Sequence, residues 1–188
     1  MKVFMIRHGE SETNRAGVWT GWLNAALTEK GKEEAALVKN LLAGVKFDKV
    51  YSSDLIRAKT TAEIAAPGYA YELTPIVREI NVGSIAGKAL NVVLDSENKP
   101  INKDGYAMFG GESSDEFGGR VAAFMGELEG LSCKNVAVFS HGGFLRRFLN
   151  TVLGTQLKRD TICCKNCAVA IFEYEGSSWR LHSWINLS

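Results

Sequence analysis

The chain begins with a short apolar run that stops abruptly at charged residues, and this feature constrains the fold most. Residues 3–6 read Val-Phe-Met-Ile, and Arg7 and His8 follow directly. Such a run of β-branched and aromatic residues, ended by polar residues and glycine, is typical of a strand buried in an α/β sheet. Ligands bind beyond the carboxyl ends of the strands in open α/β sheets, so His8 is predicted to stand at a functional edge.

The rest of the chain alternates predicted strands with predicted helices. The predicted strands cover residues 49–51, 136–139, 167–174 and 179–185. The predicted helices begin at Thr28, at Leu55, at Ser113 or Ser114, and at Phe144. The first of these helices has a predicted apolar stripe of Leu37, Val38, Leu41 and Leu42. This order predicts a three-layer α/β/α sandwich. Its sheet is mainly parallel, with an antiparallel edge made by the last two strands and a hairpin turn at 175–178.

The length and the absence of a linker favour one domain over residues 1–188. No stretch rich in Pro, Gly or Ser divides the chain, and 188 residues are enough for one sizeable core. Residues 83–111 are rich in loop-forming residues and weakly periodic. This segment is the candidate for a short cap that determines substrate specificity; the alternative is a surface loop without a role in specificity.

Composition excludes several classes of partner. The 22 basic residues nearly balance the 21 acidic ones, so no general field attracts nucleic acid or an anionic membrane. The apolar start is too short for a secretory signal or a membrane span, and we expect a cytoplasmic protein. Cys163, Cys164 and Cys167 lack the spacing of a disulfide framework and offer one C-x2-C pair, fewer ligands than structural zinc requires. Cys167 is instead predicted to begin a strand.

A cationic or imidazole side chain follows each of three predicted strands. Arg7 and His8 follow the first strand, Arg57 comes shortly after the second, and His141 follows the strand at 136–139. Individually, a histidine beside glycine is usually a turn residue and a helical arginine usually faces solvent. Parallel strands share one edge, however, so a common anion site is predicted there. Guanidinium groups bind phosphate oxygens bidentately, which favours phosphate, with Asn14, Ser11 or Thr20 as neutral donors.

Several segments resemble the histidine phosphatase superfamily, also called the phosphoglycerate mutase-like family. Residues 7–14, 51–62 and 140–143 resemble its three main motifs, and residues 27–31 and 78–83 resemble two intervening ones. The resemblance implies that His8 is a nucleophile that becomes phosphorylated and that Glu79 is the proton donor. It also implies that the phosphate and the rest of the substrate contact Arg7, Asn14, Thr20, Gly21, Arg57, His141 and Gly142. No metal and no cofactor are expected.

The sequence in the middle of the chain differs from the pattern of that family, and this difference favours one activity over the others. Residues 83–87 read Gly-Ser-Ile-Ala-Gly where many members have an aromatic residue and a second glutamate, and no arginine lies between Arg78 and Arg120. The favoured interpretation is a metal-independent phosphomonoester phosphatase that acts on a small phosphorylated metabolite through a phosphohistidine.

Two alternatives stay open. One is a cofactor-dependent phosphoglycerate mutase, because the loop at residues 19–22 resembles the loop found in such mutases. The other is a non-catalytic phosphate-binding module or a protein phosphohistidine phosphatase. No nucleic acid or membrane partner is expected, and a homodimer is left open.

Overall fold

The computed structural model describes residues 1–90, 105–157 and 161–187. It contains six strands, which are β1 Lys2–Arg7, β2 Lys49–Ser52, β3 Glu72–Leu73, β4 Asn135–Ser140, β5 Val169–Glu175 and β6 Ser178–Ile185. Its helices are α1 Glu12–Arg15, α2 Glu29–Leu41, α3 Ile56–Ala65, α4 Ser114–Glu129 and α5 Gly142–Leu153. None of the helices in these ranges is long and apolar enough to cross a membrane.

The six strands form one mixed sheet in the order β3-β2-β4-β1-β5-β6. Strands β1 to β4 pair in parallel, whereas β5 runs antiparallel to both of its neighbours. The predicted hairpin is confirmed, and Gly176 and Ser177 at its tip have φ angles of 55° and 61°. A two-residue turn with positive φ at both positions matches the twist of the two strands. Because β4 lies between β1 and β2, the carboxyl ends of all three are neighbours.

Side chains of β1 alternate between two cores, one on each face of the sheet. Val3 and Met5 belong to a core that includes aromatic residues of α4 and α5, such as Phe144. Phe4 and Ile6 belong to the opposite core, which contains residues of α2 and α3. This alternation is the period-two pattern of a strand, and burial on both faces explains why β1 is continuously apolar. The predicted three-layer architecture is therefore confirmed.

The predicted apolar stripe of α2 is half wrong. Val38 and Leu42 are buried, but Leu37 is 47% and Leu41 is 38% exposed. The buried face runs instead through Ala35 and Val38, spaced by three residues, and it packs against α3. The helix turns about 100° per residue, so Leu37 and Leu41 fall beside this face and not on it.

One predicted strand boundary is wrong, and two short elements were not predicted. Cys167 does not begin β5; its φ of 56° places it in the left-handed region, and the strand starts at Val169. The short elements α1 and β3 were not predicted. Residues 91–104, about half of the predicted cap, lie outside the described residues, and the described ends of the cap contain short 3-10 turns at Gly83–Ile85 and Ala107–Phe109.

Candidate active site

His8 stands directly after β1 and is almost completely buried. Its Nδ1 lies 2.7 Å from the Gly9 carbonyl oxygen, which can only accept, so Nδ1 carries the proton and Nε2 carries the lone pair. Burial lowers the pKa of His8 well below its usual value, and the charges of Arg57 and Arg7 lower it further, against the opposing effect of the Gly9 bond. The imidazole is therefore neutral at neutral pH.

Arg57 enters the site from the first turn of α3 and is fully buried. Its Nε donates to His8 Nε2 at 3.2 Å. Its Nη1 and Nη2 donate to the carbonyl oxygens of Leu23 and Gly21 at 2.7 and 2.8 Å. Burial lowers the pKa of Arg57 to about 10, which still leaves the guanidinium charged at pH 7. Three hydrogen bonds thus hold a cation against the unprotonated nitrogen of His8.

His141 follows β4, and its ring centroid lies 5.1 Å from that of His8. Burial, followed by the charges of Arg57, His8 and Arg7, holds the pKa of His141 well below its usual value. His141 Nε2 lies 2.9 Å from Ser53 Oγ, which accepts from the Leu55 backbone N–H. When the Ser53 hydroxyl donates to Nε2, the buried Nδ1 carries the proton; Nδ1 has no hydrogen-bond partner among the described residues.

Arg7 and Asn14 form the side of the site that faces β5. Arg7 Nη1 donates to the Cys164 carbonyl oxygen. The Asn14 amide oxygen accepts from the Ser11 backbone and from Asn166 Nδ2, at 3.2 and 3.1 Å. With its oxygen engaged twice, the Asn14 amide keeps its NH2 group as a donor.

Asn166, which was not predicted, also donates to the His8 carbonyl oxygen at 3.2 Å. It thereby links the loop before β5 to the histidine. The only signal in the sequence was a polar residue directly before a predicted strand.

Glu79 approaches the same site from the chain after β3. Its Oε2 accepts the backbone N–H of Gly143, in the first turn of α5, at 3.0 Å, and its Oε1 accepts the Ile80 N–H. A Cβ at position 143 would overlap Glu79 Oε1, so only glycine allows this approach. The main-chain oxygen of Glu79 accepts from Trp22 Nε1 at 2.7 Å. The carboxylate is thus fixed relative to the start of α5, which directly follows His141.

An unpredicted ion pair fixes the backbone around Glu79. Arg120, on α4, donates to the carbonyl oxygens of Ile76, Arg78 and Glu79 at 2.9, 2.7 and 3.0 Å. It pairs with Glu112 at 2.7 Å, and each side chain is 15% exposed. Glu112 in turn accepts the Asn81 backbone N–H at 2.7 Å, which anchors the chain beyond Glu79.

A cavity of about 780 Å³ joins these groups, a volume typical of small-molecule sites. The predicted site residues in its lining are Arg7, His8, Asn14, Thr20, Gly21, Arg57, Glu79 and Gly142. His141 does not line it and lies against the His8 ring instead. The Thr20 hydroxyl donates to Thr13 Oγ at 2.8 Å. The outer wall is apolar and consists of Val18, Trp19, Ile80, Val82, Leu90, Tyr106, Leu157 and Ile162.

The loop that carries His8 is packed tightly against the start of α2. A Cβ at Gly9 would overlap the Gly31 carbonyl oxygen, and a Cβ at Gly31 would overlap the Glu10 carbonyl oxygen. The Gly9 backbone N–H also donates to Thr61 Oγ of α3 at 3.1 Å. Two helices therefore support the turn between β1 and α1.

Comparisons with known proteins agree with this geometry. The model of the histidine phosphatase superfamily (branch 1) matches residues 3–187. A probable phosphoglycerate mutase GpmB from Photorhabdus laumondii is 31% identical over 98% of this chain and 90% of its own length.

Two solved structures are similar as well. A phosphoglycerate mutase from Thermus thermophilus is 28% identical, with a TM-score of 0.75 and full coverage of both chains. A putative alpha-ribazole-5'-P phosphatase from Escherichia coli is 24% identical, with a TM-score of 0.82 over 97% of this chain and 94% of that one. The latter similarity concerns the fold alone.

Proposed function

Because the chain belongs to the histidine phosphatase superfamily, whose members are enzymes, we propose that it is a metal-independent phosphomonoester phosphatase acting on a small phosphorylated metabolite. The observation that carries the proposal is the contact between the unprotonated Nε2 of His8 and the Arg57 guanidinium. This contact places a nucleophile beside a fixed cation, which is the arrangement that phosphoryl transfer requires.

In the proposed reaction, the Arg57 Nε hydrogen bond to His8 is exchanged for hydrogen bonds to phosphate oxygens. Arg7 and Arg57 compensate the charge of these oxygens, and the NH2 group of Asn14 donates as a neutral group. His8 Nε2 then attacks the phosphorus in line with the ester oxygen. The new N–P bond forms as the P–O bond to the leaving group breaks.

Glu79 handles the proton in both halves of this reaction. As a carboxylic acid it protonates the departing ester oxygen, which leaves as an alcohol. As a carboxylate it then takes a proton from the water that attacks the phosphohistidine. The N–P bond breaks, orthophosphate leaves, and His8 and Glu79 return to their starting protonation states.

A phosphoglycerate mutase is the second candidate, supported by the names of the Photorhabdus and Thermus relatives. A mutase returns the phosphoryl group from the histidine to a bound hydroxy acid, whereas a phosphatase gives it to water. Incubation with 3-phosphoglycerate, with and without 2,3-bisphosphoglycerate, separates the two. Isomerisation stimulated by the bisphosphate, in place of phosphate release, would make the mutase the correct assignment.

Hydrolysis of phenyl phosphate in excess chelator tests the phosphatase itself. We expect turnover by the wild type, a phosphoenzyme that survives alkaline but not acid treatment, and the loss of both in His8→Ala. His182→Ala is the matched control, because His182 is an exposed residue of β6 that does not line the cavity. Phosphate binding without turnover would identify a binding module instead, and turnover confined to phosphohistidine in proteins would identify a protein phosphatase.

A further inference from the structure

Asn166, in the loop before β5, gives both hydrogens of its NH2 group to residues of the site. Its Nδ2 donates to the His8 carbonyl oxygen at 3.2 Å and to the Asn14 amide oxygen at 3.1 Å. An amide NH2 group has two hydrogens, so these two bonds use its whole capacity. Asn166 is half-buried and lines the cavity. It is therefore placed to hold other groups of the site.

The contacts of Asn166 fix which end of the Asn14 amide faces the cavity. The His8 carbonyl oxygen can only accept, so the Asn166 atom that faces it is the NH2 nitrogen. The same nitrogen faces Asn14, and the Asn14 atom at 3.1 Å is therefore the amide oxygen. In the described part of the chain, the NH2 group of Asn14 donates to no residue. This donor is left for the cavity that Asn14 lines.

The orientation of the Asn14 amide decides whether it attracts or repels phosphate. The oxygen and the NH2 group of an amide have nearly the same shape, so hydrogen bonds and not packing select between the two orientations. An NH2 group donates to phosphate oxygens, whereas an amide oxygen repels them. The Ser11 backbone N–H alone supplies one bond to the Asn14 oxygen, at 3.2 Å. Asn166 adds a second, so the reversed orientation loses two bonds instead of one.

The loop that carries Asn166 has an unusual backbone at the next residue. Cys167 is fully buried and has a φ of 56°, and a residue other than glycine adopts this conformation only where its surroundings fix it. Its backbone N–H also donates to the His8 carbonyl oxygen, at 3.2 Å. This oxygen therefore keeps a donor when Asn166 is removed, whereas the Asn14 oxygen loses one of its two. Asn14 is thus the residue that depends more on Asn166.

We propose that Asn166 is a positioning residue that fixes the amide of Asn14 with its NH2 group toward the bound phosphate. This inference rests on the proposed phosphatase activity, in which Asn14 donates to the transferred phosphate. Asn166 acts through Asn14 and needs no contact with the reacting atoms.

Replacement of Asn166 tests this role. Asn166→Ala should lower kcat/KM for phenyl phosphate by roughly tenfold, the size of one hydrogen bond to a charged group. The loss should be the same for 2,4-dinitrophenyl phosphate, because a bond to the phosphate does not depend on the leaving group. Asn166→Gln keeps an NH2 donor and should retain part of the activity. A loss confined to phenyl phosphate, or no loss at all, overturns the proposal.

Asn186→Ala is the matched control, because Asn186 holds the same loop from the exposed side. Its Nδ2 donates to the Cys163 carbonyl oxygen at 3.2 Å, and its Oδ1 accepts the Lys165 backbone N–H at 3.0 Å. It contacts neither His8 nor Asn14 and does not line the cavity. Asn186→Ala should keep kcat/KM within about twofold of the wild type. A tenfold loss in this variant would attribute the effect to the loop as a whole and overturn the specific role of Asn166.

A double-mutant cycle shows whether Asn166 acts through Asn14. Two residues that act through one interaction have effects that do not add. Asn166→Ala should therefore change kcat/KM by less than about twofold when it is introduced into Asn14→Ala. A further tenfold loss in the double variant would show that Asn166 acts through His8 or through the fold, and the proposal would be wrong while the phosphatase stands.

Failure of the wild type to hydrolyse any ester overturns the phosphatase and not this inference. The cycle is then measured as the Kd of orthophosphate by calorimetry, with the same four proteins. Asn166→Ala should weaken orthophosphate binding by roughly tenfold in the wild type and by less than about twofold in Asn14→Ala. Equal weakening in both backgrounds, or none in the wild type, overturns the positioning role.

Discussion

His8 and His141 are two buried imidazoles that resist protonation together. Each has a lowered pKa because burial and the neighbouring Arg57 disfavour its charged form. Both rings lie against each other, so a proton on one also disfavours a proton on the other. For the proposed nucleophile this means that the attacking nitrogen stays available when the pH falls below 6.5, the usual pKa of histidine.

The same lowered pKa values predict that acid destabilises the fold. Below pH 6.5 the unfolded chain binds a proton on each histidine and the folded chain does not, so the free energy of unfolding decreases as pH falls. The slope is at most about 1.4 kcal/mol per pH unit for each histidine. Urea unfolding between pH 7.5 and 5.5 measures it while the carboxylates stay ionised. His8→Gln should reduce the slope and His182→Gln should not; a pH-independent stability would contradict the assignment.

Glu79 is predicted to raise kcat only for esters whose leaving group needs a proton. Glu79→Gln should lower kcat for phenyl phosphate on the order of 100-fold, the usual size of general acid catalysis. 2,4-Dinitrophenyl phosphate has a leaving group that departs as a stable anion, so its kcat should change little. Glu33→Gln, at an exposed position of α2, is the control. Equal losses on both esters would show that Glu79 does not act as the acid.

At the scale of elements, Arg120 connects α4 to the chain that carries Glu79. It donates to the main chain on both sides of Arg78 and pairs with Glu112. We expect Arg120→Gln to displace Glu79 and to lower kcat for phenyl phosphate by roughly tenfold or more, with a smaller effect on the dinitrophenyl ester. Arg120→Lys should restore part of the loss.

A general loss of structure would reduce the turnover of both esters equally, and that result would contradict a positioning role for Arg120. The matched control is Arg180→Gln. Arg180 forms an exposed ion pair with Glu175 on the β5–β6 hairpin, and exposed pairs contribute little to stability.

The sequence predicted the elements that have strong periodic or capping signals. Ser113, one of the two predicted start positions, caps α4: its hydroxyl accepts from the Glu116 backbone N–H, and the Glu116 carboxylate accepts from the Ser113 backbone N–H. The short elements α1 and β3 have too few residues to show a period. The contacts of Arg120 could not be predicted either, because they depend on which way α4 faces in the assembled molecule.

At the scale of the whole molecule, the strand order explains how distant residues gather at one cavity. Strand β4 is paired on one side with β1 and on the other with β2. The residues that follow the three strands are therefore neighbours although they come from positions 8, 57 and 141. The sequence could suggest that the strands were parallel, but their order results from how the helices cover the sheet.

The aromatic packing on one face of the sheet is predicted to contribute strongly to stability. Phe148 of α5 is fully buried, with ring centroids 4.7 Å from Phe172 and 5.2 Å from Trp179. Phe148→Ala should lower the free energy of unfolding by about 3–5 kcal/mol, through lost burial and the cavity that remains. Leu153→Ala, at a position 45% exposed, should lower it far less. Urea denaturation compares them, and equal effects would contradict this account of the core.

The close backbone contact between Gly9 and Gly31 restricts both positions to glycine, although the two codons are far apart in the gene. Neither residue can gain a methyl group unless the main chain beside it moves, so mutation of one cannot be offset by mutation of the other. A randomised gene library selected for activity should return glycine at both positions, even where neighbouring codons diversify. In directed evolution of this protein, we therefore expect accepted substitutions in the outer apolar wall of the cavity and none at the two glycines that pack beside the turn after β1.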